Sequence, residues 1–166
     1  RAIGTPIEDG VVVQDYTILQ TNNDAAFGHG IRSYAKNGMV KQWSQELVNA
    51  MVENDDPRIF IANHVAGGAV KRVGELDTAF PHRNAEIMIV VVAGWMDAAQ
   101  DDNLIAACRD YHQAIKPHLG GYYGNIDFDH TAAKGNYGPA YERLSQIKGQ
   151  YDPGNQFRLN SNIEPS

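Results

Sequence analysis

Six histidines stand in the 166-residue sequence, and one of them has neighbours that suggest chemistry. His64 closes an extended run just before the pair Gly67-Gly68. An imidazole takes and returns protons near neutral pH, and paired glycines let backbone approach a flat ligand closely. The plainer reading is a strand histidine satisfied by its own fold. His82 and Arg83 follow Pro81 at the entry to an apolar run. A guanidinium only donates, so an arginine there is expected to anchor a loop through backbone carbonyls in preference to holding a substrate. Asp127 and Asp129, ahead of His130, share a strand face and could hold a hard cation, but an exposed strand end accounts for them more simply. No other histidine has metal-ligand spacing, and no metal is expected. The sequence has no glycine-rich nucleotide fingerprint before a helix, no phosphate loop, no His-Glu-x-x-His and no serine elbow.

The elements that must position these groups are organised around Thr78 to Trp95. From Ile87 to Ala93 there is no polar side chain, and β-branched residues dominate, which favours extended backbone. Seven apolar residues are too few to span a bilayer. The run predicts a strand buried on both faces, in the middle of a sheet. Ile31 to Val40 is a second candidate strand, with Ile31, Ser33 and Ala35 on one face and Arg32, Tyr34 and Lys36 on the other. That polar-aromatic face is expected to look at solvent or a ligand and to leave Tyr34, Lys36 and His64 on one concave surface. Arg58 to Val65 is a third strand, and Ala69 to Val73 a possible continuation beyond the double glycine.

Ser44 predicts the cap of a helix to about Asn54, with Trp43, Leu47 and Met51 buried and Trp43 and Val48 as a staple. Asp97 and Gln100 have capping-box spacing ahead of Leu104, Cys108, Tyr111 and Ile115, an apolar stripe at helical intervals. Cys108 therefore reads as a small core residue with no basic neighbour to activate it. Tyr122 to Phe128 reads as short and extended. Pro139 predicts the first residue of a helix through Lys148, with Tyr141, Leu144 and Ile147 inward. Val11 to Gln20 is open between strand and a short helix capped by Asp15, and Arg1 to Gly10 reads as an exposed arm. Helices that alternate irregularly with strands predict an α+β fold with a largely antiparallel sheet.

Composition bounds the function. With 43% hydrophobic and 20% charged residues, the chain has the make-up of a globular domain, and at this size roughly 70% of the extended-chain surface is removed from water on folding. One cysteine excludes an internal disulfide and a multi-thiolate metal site. A net charge of −6, without a basic cluster, argues against a nucleic-acid partner. Nothing suggests a membrane partner, and nothing near Arg1 has the charged-then-apolar pattern of a secretory leader. What preceded Arg1 is expected to have been removed by processing or cloning.

Five ordered motifs then carry a resemblance. They are Gly67-Gly68-Ala69-Val70; Thr78-Ala79-Phe80-Pro81-His82-Arg83; the buried strand ending Ala93-Gly94-Trp95; Tyr123-Gly124-Asn125; and the stretch from Asn136-Tyr137-Gly138-Pro139 through Tyr151-Asp152-Pro153 and Phe157-Arg158 to Pro165. From about Gly30 onward the chain resembles the C-terminal half of berberine bridge enzyme-like FAD-linked oxidases, in the vanillyl-alcohol oxidase and p-cresol methylhydroxylase superfamily. The resemblance implies a substrate-binding domain over residues 1–120, whose antiparallel sheet roofs a flavin ring. Residues 121–166 would then be a berberine-bridge segment returning to an N-terminal FAD-binding domain that this chain lacks.

It implies FAD as cofactor of the parent protein, not expected to bind this chain alone, and hydride transfer from a small-molecule substrate to flavin with reoxidation by oxygen. Tyr123 and Asn125 match the family's Tyr-x-Asn flavin contact. His64 and Tyr34 become candidate catalytic groups, with Arg32, Lys36 and His64 toward substrate. The position after the asparagine, commonly aromatic, is Ile126, which puts the usual tyrosine base in doubt. The competing reading is a free-standing α+β module that binds a ligand or partner without catalysis. Self-association of the fragment is expected if a partner domain is absent.

Overall fold

The computed structural model describes residues 11–22, 24–126, 133–159 and 161–166. The arm Arg1–Gly10 and the Asp127, Asp129 and His130 group lie outside the described residues.

The apolar run forms β3 (Ile87–Trp95), the central strand of a three-stranded antiparallel sheet in the order β1-β3-β2. β1 (Arg32–Val40) pairs with it from Arg32 opposite Trp95 to Val40 opposite Ile87. β2 (Phe60–Val65) pairs from Phe60 opposite Val92 to Val65 opposite Ile87. β1 and β2 thus run parallel to each other with β3 inserted between them, a split βαβ arrangement. The α+β class and the antiparallel sheet are as the sequence predicts.

Alternation along the strands divides the core in two. Ile87, Ile89, Val91 and Ala93 of β3, with Tyr34 and Val40 of β1, meet Leu47 and the stripe Leu104, Cys108, Tyr111 and Ile115. These last residues belong to α3 (Gln45–Glu53) and α4 (Asp101–Ile115). Each fully buried Leu, Ile or Val side chain contributes about 1.5–3 kcal/mol to folding, so this helix-covered face carries most of the apolar stabilisation. Burial pushes the Cys108 thiol up to about 11, which leaves it a packing residue. The second face has a smaller apolar cluster of Ala35, Val90 and Val92, with Ala62, Met88 and Ile126 against it, and Asn37 and Met39 of β1 are buried beside it.

Along β1's outer edge, Met39 N–H donates to Gly121 O at 2.8 Å and Gly120 N–H donates to Met39 O at 2.7 Å. His112 Nε2 of α4 lies 3.0 Å from Asn37 O. Backbone groups that would otherwise template another strand are thereby spent.

Around this centre lie α1 (Tyr16–Thr21), α2 (Asp24–Phe27), α5 (Ala133–Tyr137) and α6 (Tyr141–Tyr151). Ser44 caps α3, accepting from Leu47 N–H at 3.2 Å. The structure corrects several local expectations. Val70–Arg72 is a 3₁₀ turn and not a strand, because Gly68 at φ +52 turns the chain in the left-handed region open to glycine. Gly124–Ile126 is also a 3₁₀ turn. Asp97 caps a short 3₁₀ turn through Ala99 N–H, with α4 starting after it, so no capping box forms. Trp43 and Ile147 are exposed, since neither α3's entry nor α6's flank has a described layer over it. Pro139 lies in a 3₁₀ turn, and α6 begins at Tyr141.

Candidate functional site

The face of the sheet away from α3 and α4 gathers the chemistry. His64 lies opposite Met88 in the β2–β3 ladder, on the side away from α3 and α4. It is exposed and has no hydrogen-bond partner among the described residues. Beside it opens a cleft of about 440 Å³, lined by Met39, Val65, Val70 and Met88 on the apolar side and by His64, His82, Arg83 and Tyr123 on the polar side. That volume suits a small organic molecule.

Tyr123 is brought to this cleft by an asparagine that sequence reasoning missed. Asn37 of β1, fully buried, donates from Nδ2 to Tyr123 O at 2.8 Å and accepts at Oδ1 from Tyr123 N–H at 2.7 Å. The amide mimics a neighbouring strand and fixes the second residue after the Gly120-Gly121 pair. The signal was present: a primary amide sits mid-strand on the same face as Ala35, where an unpaired polar group is costly. Asn125 Nδ2 donates to the Tyr123 hydroxyl at 2.9 Å, so the structure brings Tyr123 and Asn125 together. Ile126 packs against Ala35, Val90 and Val92 and offers no proton acceptor.

The loop entering β3 forms the other wall. The Phe80 ring meets His82 edge-on at 5.6 Å and Tyr123 edge-on at 6.1 Å between centroids. Arg83 donates from Nε to Phe80 O at 3.1 Å and from Nη2 to Thr78 Oγ1 at 2.6 Å, with its guanidinium 5.0 Å from the Phe80 ring centroid. The loop-anchoring role expected for this arginine is present. His82 Nε2 lies 3.0 Å from Asn136 O, and a carbonyl only accepts, so that nitrogen carries the proton. Burial holds the imidazole below its ordinary pKa, against the pull of the Asn136 and Tyr122 backbone. Gly121 leaves room for this ring, since a Cβ there would stand 2.2 Å from His82 Cε1.

The remaining candidates of β1 are not at the cleft. Tyr34 is buried on the helix-covered face, its hydroxyl accepting from Arg109 Nε at 3.0 Å and its ring under the guanidinium at 5.2 Å. Lys36, opposite Val91, follows the same alternation and is also buried. The expectation that Tyr34, Lys36 and His64 share a concave face is therefore corrected: α4 covers the first two, and Arg109 satisfies the phenol that suggested a ligand. Arg32 pairs through two nitrogens with Asp101, which also accepts from Trp95 Nε1 at 2.6 Å. It stands opposite Trp95, seven residues along β3 from Met88, roughly 23 Å at ~3.3 Å per residue. Its charge is committed to clamping the start of α4 to the sheet.

A larger groove of about 560 Å³ lies between residues 76–79 and 139–147 and contains no histidine or tyrosine. Among the described residues no three His, Cys, Asp or Glu gather to hold a metal ion, and no helix is long and apolar enough to cross a membrane.

The fold is thus a small antiparallel sheet with helices on one face and, on the other, an apolar cleft rimmed by imidazoles and a tyrosine. Comparison with known proteins supplies its family. Residues 121–164 match the family described as berberine and berberine like. An FAD-linked oxidoreductase of Bacillus subtilis is 31% identical over 132 residues, which is 75% of this chain and 29% of that protein. One of Dictyostelium discoideum is 26% identical over 99% of this chain and 38% of its own length. The fold of berberine bridge enzyme from Eschscholzia californica superposes with a TM-score of 0.73 at 21% identity, over 90% of this chain and 36% of that one. The chain belongs to the berberine bridge enzyme-like FAD-linked oxidoreductases and spans about a third of the length of the relatives it matches.

Proposed function

We propose that this chain is the substrate-side portion of an FAD-dependent oxidoreductase, with its uncovered sheet face toward flavin and substrate, and that it is not catalytic alone. Residues 1–120 would form the substrate-binding unit and residues 121–166 the segment that returns to an FAD-binding unit. The observation that carries this reading is the meeting, at one cleft, of His64 from β2 with Tyr123 and the adjoining Asn125 from the segment matching the family.

The residues present fit the ring system of a flavin better than its phosphates. Ala35, Val90 and Val92 make a low apolar floor, and Asn125 with Tyr123 offers a polar rim. When bound, FAD supplies the hydride acceptor. The protein's own part is to hold the substrate's apolar body against Met39, Met88 and Val70 and to take a proton through His64, the exposed imidazole of the cleft. His82 is committed by its bond to Asn136, and Tyr34 lies on the far face.

In the longer protein carrying bound FAD, His64→Ala is expected to slow anaerobic flavin reduction by about a hundredfold and to leave reoxidation by oxygen unchanged. An unaltered reduction rate would make His64 a structural residue.

A further inference from the structure

Arg83 has more donors than its anchoring role uses. Nε serves Phe80 O and Nη2 serves Thr78 Oγ1, which leaves Nη1 and its two hydrogens without a partner among the described residues. Among the described residues no carboxylate pairs with this guanidinium, whereas Arg32, Arg58 and Lys148 each have an aspartate. Arg83 is also half-buried, and a half-buried charge without a counterion is costly to keep.

Its surroundings sharpen the point. Among the described residues no Asp or Glu lines the cleft. Its other polar side chains are two imidazoles and a phenol, and the rest of the lining is Met39, Val65, Ala66, Val70, Phe80 and Met88. Glu75 and Lys41 are the charged groups felt at His82, and neither forms part of the lining. A cationic fork beside apolar side chains attracts an anion, with water on the open side of the cleft screening part of that attraction. Two hydrogen bonds and the Phe80 ring hold that fork in place, so little rotamer freedom remains to be lost when an anion docks.

We infer that Arg83 is the anion subsite of this cleft and that its ligand is a small organic acid, a carboxylate on an apolar body. The carboxylate meets the free edge of the guanidinium, and the apolar part lies along Met39, Val70 and Met88. As a substrate subsite the inference rests on the reading of the cleft given above, and it names the substrate class for it.

The test uses the full chain with methionine methyl groups labelled for NMR. Met39 and Met88 line the cleft, and Met51 and Met96 lie outside it, serving as internal references. Phenylacetate and the uncharged phenylacetamide are titrated separately. Phenylacetate is expected to shift Met39 and Met88 selectively and to bind at least about tenfold more tightly than the amide, the margin of a charge-assisted hydrogen bond. The margin should shrink at high salt. Arg83→Gln should erase the preference, and Arg83→Lys should keep part of it.

If Arg83→Gln fails to fold because the loop anchor is lost, the acid-against-amide comparison in the unaltered chain decides alone. Equal binding of acid and amide, no cleft shift with phenylacetate, or a preference that survives in folded Arg83→Gln would overturn the subsite. Neither flavin nor turnover enters this measurement. A failure here leaves the His64 reduction test standing, and a failure of that test leaves the acid preference standing.

Discussion

The side chain of Asn37 grips the backbone of Tyr123 at both of its polar atoms, at 2.8 and 2.7 Å. The strand edge thereby reaches across 86 residues to place the start of the family-matching segment. Through Tyr123 the clasp also orients Asn125, whose amide donates to the phenol.

Asn37→Ala should expose how much depends on that clasp. The substitution leaves a part-buried N–H and C=O of Tyr123 without partners, which costs about 1–3 kcal/mol. Urea unfolding should show a lowered midpoint with little change in slope. An unchanged midpoint would mean that Tyr123 is held by its other neighbours.

Tyr34→Phe separates structure from catalysis on the other face. The phenol accepts from Arg109 under α4, so its removal should cost about 1 kcal/mol of stability. In the flavin-bound longer protein the reduction rate should stay at the unaltered value. A large fall in that rate would return Tyr34 to the candidate proton carriers.

These two residues also show what the sequence makes legible. Alternation along β1 correctly separates Tyr34 and Lys36 from Ala35. Which side a helix would cover depends on Arg109, 75 residues away from Tyr34, and no local pattern encodes that. The all-apolar run from Ile87 to Ala93 needed no such information, since a strand buried on both faces can only be central. His64 lies on the uncovered face because β2 pairs with β3 at Met88, a register that periodicity alone leaves open. Val70–Arg72 failed for a related reason: the β-branched residues favour a strand, and the backbone turn at Gly68 overrides them.

Asp152 gives the fold an acid-sensitive joint. Its carboxylate accepts from Lys148 Nζ at 2.6 Å and from the backbone N–H groups of Gln156 and Phe157 at 2.8 and 3.1 Å. The lysine first, then these backbone donors, hold its pKa at about 2. A depressed carboxylate contributes stability that is complete above the unfolded value of about 3.9 and is lost as pH falls toward the folded one. Thermal midpoints should therefore drop between about pH 4 and 2. Asp152→Asn should flatten that limb in part, with the remainder left to Asp56, also held at about 2 by Arg58, and to Asp101 and Glu46, which are lowered as well. An identical acid limb in the variant would show that the joint contributes nothing.

The purified 166-residue chain should be colourless and should not retain FAD. A dinucleotide's pyrophosphate needs clustered backbone donors or an unopposed helix N-terminus. Among the described residues, the three helices of nine or more residues each carry an acidic side chain in the first turn, Glu46 in α3, Asp101 and Asp102 in α4 and Glu142 in α6. These side chains repel phosphate where the helix dipole would attract it. Gly67-Gly68 leads only to a three-residue 3₁₀ turn, too short to aim a dipole. What remains is Tyr123 and Asn125 at the ring, and hydrogen bonds of about 1 kcal/mol each fall short of the 4–15 kcal/mol or so that immobilisation costs. Equilibrium dialysis against FAD measures this directly. Micromolar binding with a yellow retained fraction would place the flavin site largely within this chain and overturn the proposed division of labour.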